Sequence, residues 1–458
     1  MRVRAVLSAP AALSVCFLAL IVDAYRLTYE RALNEAPKVS TTTSAPPATS
    51  TSQQDTSDPF YVRKALDESV IRSAVANVKK DALSARNTSL PPKVAFIFLT
   101  YKGLQLPSVW DAFFADAPKH AYTIYVHQAR RKDANTTELP LTKYGAVRIP
   151  QTESAWCAVL GLEVHALTTA LNDDHANSQF VFLGDSTVPL KPFEYVQKKL
   201  VVDSPDKSKF CLASPSPKKT LYEEFAMDPK FCLFNDFLTL YNPRVVKHHQ
   251  WMVLSREHAG SLVSHALDGL SMFEKAHNSM PSSMTGVGGC SDEVVPLTTL
   301  LQKFQQDGKS TGDATKDMEL MGVEHYCTTF VGWMHCLRNT PLSLCDIDSG
   351  ISTGSKPTLL ETVEDLEDDP EAKDVPHKFR EIDYDYLAQL VRGESFLFAR
   401  KFVADAIVKG PKGRSSEVVS LASILPAMWK EPAEPTREQR IWTSLDTLGQ
   451  PKSQPNKI

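Results

Sequence analysis

A pair of adjacent carboxylates, Asp292-Glu293, and a pair of adjacent cations, Arg400-Lys401, are the residues of this 458-residue sequence whose types and spacing most invite chemistry. A positioned carboxylate can take a proton from a hydroxyl that is about to attack. The same two acids also suit the first turn of a helix, because Val294, Val295, Leu297 and Leu301 follow as an apolar face. Arg400-Lys401 stands directly after the apolar stretch Phe396 to Ala399. A fixed cation pair at a strand end suits phosphate, with arginine as a planar fork and lysine as a point charge. Asp185 closes the apolar run FVFLG at 180–184 and either hydrogen-bonds to ligand hydroxyls or caps the turn that follows. Two Asp-x-Asp strings, Asp346-Ile347-Asp348 and Asp383-Tyr384-Asp385, have the form of a metal-holding motif. Neither follows a convincing buried strand, and both read as coincidental. His127 and His249 read as structural histidines rather than catalysts.

What is missing narrows the chemistry further. There is no C-x-x-C pair, which removes zinc ribbons and thioredoxin-like motifs. There is no G-x-G-x-x-G and no G-x-x-x-x-G-K-[ST], so dinucleotide-binding dehydrogenases and P-loop nucleotidases lose ground. Cys327, Cys336 and Cys345 recur beside His325 and His335, but the spacing matches no common zinc frame and reads as disulfide or core. With 50 basic and 54 acidic residues and a net charge of -4, the chain lacks the basic excess that grips a nucleic-acid backbone.

These residues need a frame. Residues 93–100 (KVAFIFLT), 122–127 (YTIYVH) and 180–184 (FVFLG) read as fully buried strands. Helical spacing separates them, through Val109, Trp110, Phe113 and Phe114, and then through Trp156, Val159, Leu160, Leu167, Ala170 and Leu171. The alternation predicts an α/β domain with a largely parallel sheet covered on both faces. Ligands bind such sheets at the carboxyl ends of the strands, which here carry Thr100-Tyr101-Lys102, His127-Gln128 and Gly184-Asp185-Ser186.

At the amino terminus, residues 5–22 are uncharged and mostly apolar, with Arg2 and Arg4 before them and Asp23 after. This favours a signal-anchor with a cytosolic tail of residues 1–4 and a lumenal remainder, a cleaved signal peptide being the alternative. Residues 23–91, rich in Ser, Thr and Pro over 36–59 and mixed amphipathic over 60–86, read as a stalk. The expected layout continues with a catalytic domain over 92–407 and a polar, proline-bearing tail over 408–458. Asn87-Thr88-Ser89 and Asn135-Thr136-Thr137 are glycosylation sequons, and the acidic segment 361–374 reads as a solvated loop. A lumenal compartment permits disulfides among the seven of eight cysteines that lie beyond the anchor.

Four segments in order, 93–114 leading to 122–128, 180–196, 288–301 (GGCSDEVVPLTTLL) and 396–406 (FLFARKFVADA), together resemble the core-2/I-branching β-1,6-N-acetylglucosaminyltransferase family, most closely its plant-type branch. Weaker matches at SAWCAV around Trp156, at 248–259 and at 328–335 extend the resemblance over about residues 93 to 406. The resemblance implies a Golgi type II membrane enzyme with a variant GT-A fold. Such an enzyme transfers a sugar from a nucleotide-sugar donor with inversion and without metal, N-acetylglucosamine from a UDP-sugar being the leading expectation, onto a glycan or glycoprotein acceptor. On that resemblance Glu293 is the catalytic base, while Asp292 orients or hydrogen-bonds nearby. Lys401, on the family's lysine position, and Arg400 hold the diphosphate, with Arg392 or Arg380 adding charge, and Asp185 matches an acidic position of the plant-type branch. Two features depart from the family pattern, Gly332 in place of an acid and His248-His249 in place of Lys-Gly, and they bear on acceptor identity. A metal-dependent transferase and a non-catalytic lumenal glycan-binding protein on the same fold are the competing readings.

Overall fold

The computed structural model describes residues 58–83, 89–101, 103–129, 139–212, 245–279, 290–331, 378–394, 396–411 and 417–430. The expected anchor at 5–22, the string Asp346-Ile347-Asp348, Gly332, Cys336, Cys345 and the acidic segment lie outside the described residues. Among the described residues no helix is long and apolar enough to cross a membrane.

In chain order the main elements are α1 (Pro59–Asn77), β1 (Lys93–Thr100), α2 (Pro107–Phe114), β2 (Tyr122–Gln128), β3 (Val147–Arg148), α3 (Leu160–Asp173), β4 (Asn177–Gly184), β5 (Val188–Pro189) and α4 (Phe193–Gln197). They continue with β6 (Ser208–Phe210), β7 (Val253–Ser255), α5 (Arg256–Ser279), a single 3-10 turn (Ser291–Glu293), α6 (Val295–Gln306), α7 (Ala314–Met321), β8 (Val323–His325) and β9 (Thr329–Val331). Last come β10 (Phe379–Asp383), α8 (Tyr384–Arg392), β11 (Phe398–Arg400), β12 (Phe402–Lys409), β13 (Val418–Ser420) and α9 (Leu421–Met428).

The main sheet has seven strands in the order β3-β2-β1-β4-β7-β6-β8. β1 pairs in parallel with both β2 and β4, β2 with β3, and β6 with β8, so β7 alone runs against the rest. Side chains alternate across a strand, and β1 shows the consequence. Val94, Phe96 and Phe98 meet Trp110, Phe113 and Phe114 of α2 on one face. Ala95 and Ile97 lie in the core that α3, α5 and α6 build on the other. A parallel strand covered on both faces has to be apolar throughout, which is why the run KVAFIFLT was readable as β.

Two three-stranded sheets complete the fold, β10-β12-β13 and β5-β11-β9. The second sits where the chain leaves β4, with β11 antiparallel to β5 and parallel to β9.

Two expected boundaries move. Residues 23–91 were expected to be stalk, yet α1 packs on α3 and α5 and buries Phe60, Ile71 and Ala74 in the main core. The expected tail from 408 also contributes, since β12 runs to Lys409 and α9 buries Leu421, Ile424, Leu425 and Met428. Composition misled at both ends, because a helix needs only one apolar stripe to dock. Trp156 was grouped with the helical residues of α3 but lies before it. It sits at the tip of a two-residue hairpin in which Ala155 and Ala158 exchange backbone hydrogen bonds of 3.2 and 3.0 Å.

Candidate active site

Glu293 ends the 3-10 turn that precedes α6, with Pro296 in the helix's first turn. Its side chain faces a cation, with Lys247 Nζ 3.4 Å from Glu293 Oε2. Its carbonyl accepts the backbone N–H of His248 at 2.7 Å, and a disulfide from Cys290 to Cys157 anchors the turn's entry. Asp292 points the other way, into the core, at 4% exposure. Burial, reinforced by the charge of Glu293, pushes its carboxyl up to about 8. Two further acids lie in the same buried cluster. Burial raises Glu163 well above the carboxylate range, with Asp292 and Asp67 adding to the rise and Gln250 opposing it. Burial also lifts Asp67 to about 6, against hydrogen bonds from Ser291 and Gly161. Of the four carboxylates, Glu293 is the one paired with a cation and only half-buried, as a proton acceptor must be.

The second half of the site lies at the carboxyl end of β4. The guanidinium of Arg400 stacks over the Trp251 ring, 4.0 Å from its centroid. Gly184 makes room for this pair, because a Cβ there would stand 3.0 Å from Trp251 Cη2 and 3.4 Å from an Arg400 Nη. Burial pulls Arg400 down to about 10, while Asp185 pulls the other way. Lys401 is pulled down to about 8 by burial and then by Arg400 and Lys378, again opposed by Asp185. Among the described residues neither cation has an ion-pair partner, and the buried Nε of Arg400 has no hydrogen-bond acceptor. A desolvated cation pair with no carboxylate within ion-pair distance among the described residues suits a diphosphate. Asp185 Oδ2 accepts the N–H of Tyr101 at 3.3 Å, tying the end of β4 to the end of β1. These are the strands between which the sheet order reverses, the place where open α/β sheets bind ligands.

One segment joins the halves. Residues 245–251 carry Lys247 against Glu293 and Trp251 against Arg400. Lys247 and Trp251 are four residues apart, at most about 14 Å between their Cα atoms, so one short segment touches both the carboxylate and the cation pair. The disulfide Cys211–Cys327 and the bond from His249 N–H to the Cys211 carbonyl (2.8 Å) fix this segment to β6 and to the chain entering β9. Burial drives His248 down to about 4 and His249 to about 3, so both are neutral fillers of the segment. His127 is likewise pulled to about 4 by burial and by the charge of His165.

Residues 94–340, more than half of the chain, match the profile of the Core-2/I-Branching enzyme family. The chain belongs to the Core-2/I-Branching enzyme family. A rice protein (Oryza sativa subsp. japonica), Glycosyltransferase BC10, is 30% identical over 183 residues, covering 38% of this chain and 42% of that protein. The match therefore spans less than half the length of that relative. Among solved structures, mouse xyloside xylosyltransferase 1 in its apo form overlaps 53% of this chain and 89% of its own, at 9% identity and a TM-score of 0.29. Glucosyl-3-phosphoglycerate synthase from Mycobacterium tuberculosis, with Mn2+, UDP-glucose and phosphoglyceric acid, overlaps 53% and 85%, at 10% identity and a TM-score of 0.24.

The matched part of this Core-2/I-Branching enzyme includes Glu293 and Asp185 but ends before Arg400-Lys401, which the fold itself brings to Asp185. A further cation near Lys401 is Lys378, in addition to Arg392 or Arg380 to which the sequence pointed, and all three are exposed. Arg392 is exposed on the last turn of α8, and Arg380 is exposed on β10. Asp383-Tyr384-Asp385 does follow a strand, β10, but one with only Phe379 and Ile382 buried. Asp383 takes the N-cap position of α8. Sequence reasoning missed Asp67, Glu163, Lys247, Trp251 and Lys378. Only Asp67 and Glu163 carried a signal, as acids at positions whose helical neighbours Ile71 and Leu167 are apolar and buried.

Proposed function

We propose that this Core-2/I-Branching enzyme is an inverting glycosyltransferase on a variant GT-A-like fold. It moves a sugar, N-acetylglucosamine first among the candidates, from a UDP-sugar to a hydroxyl of a glycan or glycoprotein. The observation that carries the reading is the Arg400-Lys401 pair at the switch point of the sheet, desolvated, near Asp185 but in direct ion-pair contact with no carboxylate among the described residues. The acceptor oxygen attacks the anomeric carbon, the new C–O bond forms as the bond to the UDP oxygen breaks, and the acceptor's proton passes to Glu293. The negative charge that builds on the departing diphosphate falls to Arg400 and Lys401, the role a divalent cation takes in metal-dependent transferases. Lys247 orients Glu293 through its ion pair. Trp156, 75% exposed on a hairpin fixed by the Cys157–Cys290 disulfide to the Glu293 turn, offers its ring to the apolar face of the acceptor sugar.

The two disulfides and the apolar residues 5–22 support a single-pass type II protein whose catalytic domain faces the Golgi lumen. A carboxyl-terminal epitope that resists protease until the membrane is dissolved is the expected result, and its accessibility in intact vesicles would contradict the topology. A panel of nucleotide-sugar donors, run with and without chelator, tests the reaction. Transfer from one UDP-sugar that persists in chelator is expected. Activity that vanishes in chelator and returns with Mn2+ would favour the metal-dependent alternative, and no transfer or donor hydrolysis at all would favour a glycan-binding protein.

A further inference from the structure

The buried Asp67 has no part in the proposed reaction, and its position in the fold calls for an account. It lies at 1% exposure on α1, a helix that composition assigned to the stalk. α1 comes unusually close to α3 because residue 161 is glycine. A Cβ at Gly161 would stand 2.8 Å from Val70 Cβ and 3.2 Å from the Asp67 carbonyl oxygen. At this crossing Asp67 Oδ1 accepts the N–H of Gly161 at 2.8 Å. That N–H is in the first turn of α3, whose own N-cap residue, Val159, supplies no side-chain cap. Asp67 therefore caps α3 from a different helix.

Its second oxygen reaches the catalytic turn. Asp67 Oδ2 accepts the hydroxyl of Ser291 at 2.5 Å, and Ser291 opens the 3-10 turn that Glu293 ends. The Ser291 hydroxyl also lies 3.4 Å from the Cys157 carbonyl. The turn is thus held covalently at Cys290, by Asp67 at Ser291 and by the His248 N–H at Glu293. A buried carboxylate is a costly way to dock one helix on another, since an apolar side chain would do so without desolvating a charge. One of its hydrogen bonds goes to the first turn of α3 and the other to Ser291 in the Glu293 turn, and its charged neighbours across the crossing are Glu163 on α3 and Asp292 on the turn itself, with Lys247 and Glu293 beyond.

We propose that Asp67 is a positioning residue for the general base, and that α1 is a working part of the catalytic unit, holding Glu293 in place through Ser291 while capping α3. This rests on the reading of Glu293 as the base, so its test has one arm that needs no activity. In the full chain, Asp67→Ala is expected to lower kcat by about ten- to a hundredfold, as a displaced catalytic group does, with the KM for donor unchanged. Amide exchange should quicken at 291–294 and in the first turn of α3, and not in β1 or β4. Ser291→Ala should reproduce the exchange at 291–294. Asp67→Asn should restore most of the rate, because its carbonyl oxygen can accept from Gly161 while its amide donates to the Ser291 oxygen.

Exchange at 291–294 and kcat both within twofold of wild type in Asp67→Ala would overturn the proposal. So would a loss of protection spread evenly over the chain with kcat and KM changed together, which is the signature of a merely structural residue. If the wild-type chain transfers no sugar, the reading of Glu293 fails, and the exchange arm still decides whether Asp67 holds the turn.

Discussion

Arg400 shows how a single side chain acquires a task from its surroundings. Stacked on Trp251 and drawn down to about 10 by burial, it can satisfy its remaining donors only with an anion or with water. Arg400→Lys keeps the charge but loses both the planar fork and the stack. UDP affinity measured by titration calorimetry should fall by about tenfold or more, the scale of one lost charge-assisted hydrogen bond. Gly184→Val should weaken UDP binding as well without touching the ligand, because its side chain enters space occupied by Trp251 and the Arg400 guanidinium. Unchanged affinity in both variants would remove the cation pair from the donor site. Arg400-Lys401 and Asp292-Glu293 were legible in the sequence because the chemistry resides in adjacent residues. Trp251 and Lys247 were not, because each gains its meaning from a partner more than forty residues away in the chain.

The strands of the main sheet were readable for a physical reason: β1 and residues 180–184 of β4 are covered on both faces and are apolar at nearly every position, whereas the buried polar Asn177, Ser178 and Gln179 that open β4 gave no such signal. α1 was hidden for the opposite reason. Its buried residues Phe60, Asp67, Ile71 and Ala74 form a narrow stripe that includes a carboxylate, and a polar, proline-rich segment precedes it. The helix nevertheless docks firmly, with Phe60 stacked on His277 at 3.8 Å, Lys64 paired to Glu274 at 3.3 Å and Tyr61 donating to Asn278 at 2.7 Å, all on α5. Gly161→Ala should force α1 and α3 apart and destabilise the fold by about 1–3 kcal/mol, the usual cost of overpacking. Chemical denaturation measures it, and a variant as stable as wild type would show that the close crossing is not required. At the hairpin, Trp156→Ala should raise the acceptor KM severalfold and leave the donor KM alone. A steady-state assay that finds both unchanged would take Trp156 out of the acceptor site.

Over the whole molecule, two sets of buried titratable groups oppose each other. Asp67, Glu163 and Asp292 hold protons more tightly when folded. Their contribution is therefore fullest at low pH and declines as pH rises from the ordinary value near 3.8 toward about 6 for Asp67 and about 8 for Asp292. His127, His248 and His258, drawn from 6.5 to about 4, and His249, drawn to about 3, act in the reverse sense. Their contribution is complete above 6.5 and is lost as pH falls through the folded values. Above 6.5 the carboxyl slope prevails until Lys191 and Lys401, drawn down to about 8 by burial, begin to shed protons in the folded state and oppose it, so the melting temperature should decline between about pH 6.5 and 7.5. Asp292→Asn should flatten that decline and, by removing the same opposing slope, steepen the rise in stability between about pH 4 and 6.5, whereas the same alkaline slope in both proteins would contradict the assignment. The central claim is that one carboxylate and one cation pair, joined by residues 245–251, divide the work of a single displacement. It is tested most directly by the transfer rate of Glu293→Gln at saturating donor, with UDP affinity measured on the same preparation. The account predicts a fall of about 10² to 10⁴, the range for a lost general base, with UDP bound as tightly as by wild type. Near-normal transfer would contradict it.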